Sequence, residues 1–324
     1  MLLLVGGLGM KDTMDRFMVM LDEDVSNYAT KINLSASGDN GQIVELAESV
    51  DGDWQASSGI SYAGETYTLE IYQADNNRIR FLSEENELME LGDDGVYLCL
   101  RLKDTAQIGD IIEFSPYGSE DTYQVRVAGY VRSIMSECIM MTDTYADSLG
   151  IDYHIGAIYT DVPSEDIAND PLISGKQDKD TIMATYDTFM EIMNFMVLIF
   201  VAAAIILGTV VLYNLGVMSY VERHRELATL KVLGFRDKHI GKLLISQNVW
   251  LTVVGVLIGL PAGVGVLYVL ITSLVSEYEL SLTLGMLTYS VSILLTFGVS
   301  LVVGWMVARK NKKIDMVEAL KGAE

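Results

Sequence analysis

The chain has 324 residues, a formal net charge of −22 and a mean hydropathy of +0.30. A uniform soluble domain is rarely so apolar and a plain bundle of membrane spans is rarely so acidic, so the two properties belong to different parts of the chain. The composition excludes a disordered chain, a disulfide-rich scaffold (Cys99 and Cys138 are the two cysteines) and nucleic-acid binding by the acidic part, whose surface would repel phosphates.

The division falls at Glu191. Residues 1–191 carry 36 acidic and 11 basic side chains, a balance of −25, and residues 192–324 carry 8 and 11, a balance of +3. The chain opens on Met1-Leu-Leu-Leu-Val-Gly-Gly-Leu-Gly-Met10. As a helix this would cover only about 15 Å, half a bilayer. It has no basic start and no small-x-small cleavage pattern, so it is a poor signal peptide. The expectation is that residues 1–11 are the end of a truncated transmembrane helix. An ordinary buried first strand or helix is the alternative.

Residues 12–180 read as a large extracytoplasmic α+β domain with mostly antiparallel strands. Alternation of period two marks half-buried strands at Tyr67–Ile71, at Val96–Lys103 (with Val96, Leu98, Leu100 and Leu102 inward and Cys99 on the polar face) and at Tyr123–Val127. Ile108–Phe114 reads as a turn feeding a strand, and Ile155–Val162 as a further strand. Helices are expected at Asp12–Val25, Gln42–Val50 and Asp143–Leu149, the last capped by Thr142 or Asp143. The acidic clusters Asp22-Glu23-Asp24, Glu84-Glu85-Asn86-Glu87 and Asp93-Asp94 match no calcium-loop spacing and read as solvated surface. His154 lacks the partners of a zinc site. Two separate thiols at Cys99 and Cys138 are the leading expectation, with a disulfide between them the alternative. No catalytic triad suggests itself, so no enzyme activity is expected of this chain.

Residues 181–221 read as a stalk helix running into a span. Uncharged runs cover Ile192–Val221 (30 residues), Leu243–Ser276 (34) and Leu280–Ala308 (29), each longer than the ~20 residues that cross a bilayer. The spans are accordingly placed at 181–221, 243–276 and 280–308. The short loop 222–242 and the tail 309–324 are rich in Lys and Arg, whereas the turn 277–279 holds Glu277 and Glu279 and no basic residue. The loop and tail are therefore cytoplasmic, and the turn and the acidic domain lie outside. The fold class is a membrane protein: an α-helical transmembrane bundle of three complete spans plus the stub of a preceding one, with the α+β domain on the outer side.

Within 222–242, Leu227, Leu230 and Leu233 form an apolar stripe on a charged helix, and Gly234 is placed to stop it. This is a cytoplasmic elbow suited to docking a cytosolic partner, with a plain membrane-surface anchor as the alternative. Gly234 and Gly241-Lys242-Leu243 only superficially resemble a phosphate loop: the glycine spacing is wrong and Leu243 replaces the magnesium-holding hydroxyl, so no nucleotide site is expected. Gly255, Gly259 and Gly263 recur at spacing four, a helix-packing face.

Val211-Leu-Tyr-Asn-Leu215, Glu222-Arg-His-Arg-Glu-Leu-Ala-Thr-Leu-Lys-Val-Leu-Gly-Phe235 and Lys313-Ile-Asp-Met-Val-Glu-Ala-Leu-Lys321 closely resemble the FtsX-like ABC transporter permease family, which includes MacB-like exporters. The outer segment from Gly109-Asp-Ile through Val125-Arg-Val-Ala-Gly129 resembles its extracellular domain. The resemblance implies a permease of the mechanotransmission type in the bacterial cell membrane, and the chain looks like a C-terminal fragment of a longer permease. It implies a separate ABC ATPase that carries ATP and Mg, docking on Glu222, Arg223, Arg225, Glu226, Leu230, Lys231, Gly234 and Phe235. A second permease unit or copy is implied as well, with a peptide, lipid or cell-wall enzyme as the outer partner. Relay of ATP-driven motion to export or extract a substrate is the leading function. A regulatory scaffold controlling a cell-wall hydrolase or sensor kinase is the alternative.

Overall fold

The structure is a computed structural model that describes residues 1–36, 38–119, 121–133, 137–223, 226, 229, 237–274 and 282–310. They divide into two compact units, one of Asp15–Met190 with Leu274 and one of Met1–Met14, Glu191–Ser273 and the described residues from Leu282.

The helical unit contains the start of α1 (Leu2–Val19), the greater part of α4 (Lys179–Glu222), α5 (Asp237–Leu274) and α6 (Met286–Lys310). The last three include three helices long and apolar enough to cross a membrane. Their side chains leave a continuous apolar exterior, with Leu198, Ile206, Leu257 and Leu294 all more than 60% exposed. Soluble monomers rarely show such a surface. A buried hydrogen bond of 2.6 Å from Thr252 Oγ1 to Ser300 Oγ joins α5 to α6.

The helix end expected over residues 1–11 and the helix expected from Asp12 are one continuous helix, α1, which runs from Leu2 to Val19 before a π-helical turn over Met20–Val25. Three glycines in this stretch each cost about 1 kcal/mol of helix propensity. Close packing offsets that cost: Leu4 and Val5 are buried, and a Cβ on Gly9 would come within 2.5 Å of Leu284 Cδ2 and 2.6 Å of Leu267 Cδ2. Asp12 Oδ2 accepts from the Gly285 amide at 2.8 Å, one residue before α6, satisfying a donor at that helix start.

The other unit is built on a nine-stranded sheet. Its elements are β1 (Thr30–Leu34), α2 (Asn40–Ser49), β2 (Gly52–Tyr62), β3 (Glu65–Tyr72), β4 (Phe81–Leu82), β5 (Leu88–Met89), β6 (Val96–Cys99), β7 (Ile111–Pro116), β8 (Tyr123–Val131), β9 (Cys138–Thr142), α3 (Asp143–Ser148), β10 (Ile155–Thr160) and β11 (Ile173–Asp178). The order is β11-β1-β10-β2-β3-β9-β6-β8-β7, and β7 pairs again with β2, closing six of the strands into a ring. The long β2 makes this possible: Gly52–Ala56 pairs with β10, and Ile60–Tyr62 with β7. Pairing is antiparallel except for β3–β9 and β6–β8. The β2–β3 hairpin turns on Ala63 (φ 52°) and Gly64 (φ 87°), the doubly left-handed turn whose twist suits a two-residue loop.

Two expectations about β6 change. The strand ends at Cys99, and Leu100–Asp104 forms a 3-10 turn. Cys99, which closes the strand opposite Val131, is fully buried in the apolar core rather than on a polar face. Cys138 is equally buried, and no disulfide joins the two. They belong to different apolar clusters, Cys99 with Leu98 and Ile139, Cys138 with Tyr72 and Phe81. The acidic clusters lie at the surface as expected: Glu23, Glu84, Glu85, Glu87, Asp93 and Asp94 are exposed. Asp22 pairs with Lys179, Asp24 with Arg16 and Glu84 with Lys103, and Asp93 accepts from Thr142. Thr142 also caps α3, accepting from the Tyr145 amide.

Candidate functional site

Strand alternation gives the central sheet two unlike faces. Ile32, Trp54, Ala56, Leu69, Ile71, Ile139 and Ile158 turn into the main apolar core. The residues between them, Lys31, Gln55, Ser57, Glu70, Met140 and Tyr159, lie on the opposite face and floor a cavity of about 470 Å³. Register brings them together: Lys31 lies opposite both Tyr159 and Gln177, Gln55 opposite Tyr72, and Glu70 opposite both Ser57 and Met140. Such a volume is within the range of small-molecule sites.

The walls come from elsewhere in the same unit. Leu21 and Val25 are supplied by the π-helical turn, Ile182, Met183 and Tyr186 by the first turns of α4, Phe81 by β4, and Ile79, Arg80 and Arg132 by the connecting segments. These walls are tied down. Lys179 Nζ donates to the carbonyls of Asp22 (2.7 Å) and Ser26 (2.8 Å), fastening the start of α4 to the π-helical turn. The Arg80 amide donates to the Val25 carbonyl at 2.9 Å, and the Arg132 guanidinium to the Glu84 carbonyl at 2.8 Å.

The floor is a connected polar network. Tyr159 OH donates to Gln55 Oε1 (2.8 Å), Gln55 Nε2 donates to Tyr72 OH (3.0 Å), and Tyr72 OH donates to Glu70 Oε2 (2.8 Å). The Tyr28 ring leans on Tyr159 with centroids 4.8 Å apart, and Lys31 Nζ lies 5.5 Å from the Tyr159 centroid. Burial pushes the Tyr72 and Tyr159 phenols well above their ordinary range, and the Glu70 carboxylate adds to both shifts. Burial lowers the Lys31 ammonium, and Glu70 opposes that shift. Phenols held neutral, amides and fixed cations make this a surface for binding. Among the described residues no cluster of three or more His, Cys, Asp or Glu side chains is placed to hold a metal ion. His154 instead sits with its ring nitrogens 3.3 Å from Asn40 Oδ1 and the Ser35 carbonyl.

The positions singled out in the sequence lie in the helical unit or beyond it. Glu222 ends α4, and Glu222, Arg223 and Glu226 are exposed. Arg225, Leu230, Lys231, Gly234 and Phe235 lie outside the described residues. Of the three spaced glycines, Gly259 and Gly263 face α1: an added Cβ would come 2.9 Å from Met1 Cβ at the first and 3.0 Å from Val5 Cβ at the second. At Gly255 it would meet nothing within 4 Å. The cavity residues were not singled out, although polar residues at alternate positions on β1, β2 and β3 carried the signal.

Residues 198–316 match the family model described as the FtsX-like permease C-terminal domain, in agreement with the resemblance seen in the elbow and tail. The match includes the end of α4 and all of α5 and α6, and suggests an ABC transporter permease component. FtsX-like permeases generally work with an ABC ATPase. No curated protein matches the chain.

Proposed function

From the family match over residues 198–316 we propose that this chain is the permease subunit of an ABC transporter, relaying ATP-driven motion of a separate ATPase to an outer domain. Helices α4, α5 and α6 cross the bacterial cell membrane, with residues 12–180 outside and the elbow and tail in the cytoplasm. ATP and Mg belong to the partner.

The single observation that carries the relay is the continuity of α4, one helix of 44 residues from Lys179 to Glu222. At ~1.5 Å per residue it is about 66 Å long, twice the hydrocarbon thickness of a bilayer. A helix of that length converts a push at Glu222 and Arg223 into displacement at Lys179, where three carbonyl and carboxylate contacts hold it. The polar and charged elbow gives an ATPase a docking surface without placing charge in the spans.

The test is affinity purification of the full chain from its native membrane, with ATP hydrolysis measured in the eluate. Arg223→Glu together with Arg225→Glu is expected to lower recovered ATPase activity on the order of tenfold, since reversed charges repel the original partner surface. Undiminished recovery overturns the docking assignment. Recovery of a cell-wall hydrolase or sensor kinase through the outer domain, without transported cargo, favours the regulatory-scaffold reading.

A further inference from the structure

The charges around the sheet cavity run against those of the domain that holds it. Acidic side chains outnumber basic ones 36 to 11 over residues 1–191, yet the cavity is lined by Lys31, Arg80 and Arg132 and by the one carboxylate of Glu70. That carboxylate already accepts from Tyr72 OH at 2.8 Å. Lys31 forms no ion pair within 4 Å among the described residues, and its ammonium lies over the Tyr159 ring. An excess of cations at one concave place on an acidic surface attracts an anion there and repels it elsewhere. The remaining lining is apolar and aromatic: Leu21, Val25, Phe81, Met183 and Tyr186.

We infer that this cavity binds an amphiphile with a single anionic head, a carboxylate or a phosphate ester, its head against Lys31, Arg80 and Arg132 and its hydrocarbon body against Phe81, Val25 and Met183. Head and body are both required. Three cations without an apolar wall would suit a free anion, and the wall without cations would suit any apolar molecule. The position gives the ligand a further consequence. Part of the wall belongs to α4 and to the π-helical turn that Lys179 fastens to it, so an occupied cavity braces the start of α4.

The experiment uses the full chain in nanodiscs of zwitterionic lipid, titrated calorimetrically with octyl phosphate and with octanoate, with empty nanodiscs as blank. Inorganic phosphate supplies the head alone, and octyltrimethylammonium the body with the opposite charge. Saturable binding of both anionic amphiphiles is expected, with the decyl homologues tighter than the octyl. Lys31→Gln and Arg80→Gln should each weaken binding about tenfold or more, the loss expected for a charged hydrogen bond. Arg80→Lys, which keeps the charge, should stay within about threefold of the parent. Circular dichroism confirms that each variant is folded, and if a Gln variant is not, the Arg80→Lys result and the probe series decide. Equal binding of inorganic phosphate identifies a free-anion site and overturns the proposal. So do equal binding of the cationic amphiphile, unchanged affinity in both Gln variants, and no saturable binding. The titration contains no ATPase, so its outcome is independent of whether the permease reading survives.

Discussion

Lys179 Nζ lies 2.8 Å from Asp22 Oδ1 while donating to the carbonyls of Asp22 and Ser26, so one ammonium ties the first residue of α4 to the turn that ends α1. Asp22 is half exposed, so the ion pair itself is screened, and the two part-buried carbonyl hydrogen bonds carry more of the energy. Lys179→Met is expected to destabilise the sheet unit by about 1–2 kcal/mol by stranding those acceptors. Thermal unfolding of the full chain, followed by Trp54 fluorescence, measures it; an unchanged midpoint contradicts the fastening role.

Gly263 and Gly255 stand on the same helix with different surroundings. At Gly263 a side chain must displace Val5 and the Leu2 backbone, whereas at Gly255 there is open space. Gly263→Leu should cost about 1–3 kcal/mol through overpacking. Gly255→Leu should be no less stable than the parent, because it gains helix propensity without a clash. Heat-dependent aggregation of the two variants in detergent, compared side by side, is the measurement.

Gly95 lies where an added Cβ would meet the Arg126 carbonyl, with Ala128 Cβ at 3.0 Å. A backbone carbonyl paired into a sheet cannot rotate away as a side chain can. Gly95→Ala is expected to lower stability by about 2 kcal/mol or more. A denaturant midpoint equal to that of the parent would show that the β6–β8 pairing relaxes.

The sheet unit should be alkali-sensitive. Burial raises Tyr28, Tyr72, Tyr153 and Tyr159 above the usual phenol range, Tyr153 to about 12 with help from the Asp147 charge. A tyrosine whose folded value is raised keeps its proton in the folded state after the unfolded chain has lost it. Stability is therefore fully present below about pH 10 and falls as the pH rises towards 12 and beyond. Absorbance at 295 nm should show these phenolates appearing together with loss of circular dichroism. Their smooth titration near pH 10 with the fold intact would refute the assignment.

Cys99 and Cys138 are fully buried. Maleimide should label neither in the native protein and both after denaturation, and reduction should leave the mass unchanged. A gain of two hydrogens on reduction would reveal a disulfide that the structure does not contain.

Much of the architecture was legible from local pattern. The period-two runs at Tyr67–Ile71 and Tyr123–Val127 became β3 and β8, and the uncharged runs became α4, α5 and α6, because pleat and helix period are written residue by residue. Where tertiary packing competed with local signals, the expectation failed. Leu2–Val19 is one helix where the local pattern ends one helix at residue 11 and begins another at Asp12, and Gly9 within it is seated against Leu267 and Leu284. Alternation puts Cys99 on a polar face, but it closes β6 opposite Val131 and packs in the apolar core.

The sequence alone determined the separation of an acidic folded region from three apolar helices, since charge and hydropathy add up along the chain without regard to neighbours. It also determined, through the alternation over Tyr67–Ile71, that β3 would have a polar and an apolar side. Only the tertiary structure decided that the polar sides of β1, β2 and β3 would share one floor, that the turn after α1 and the start of α4 would roof it, and that Lys31, Arg80 and Arg132 would meet there. These groups are far apart in the chain, and they are brought together by strand register and long-range pairing, which no local pattern encodes. The same physics turned an opening imbalance of −22 into an acidic domain with a positively charged interior pocket.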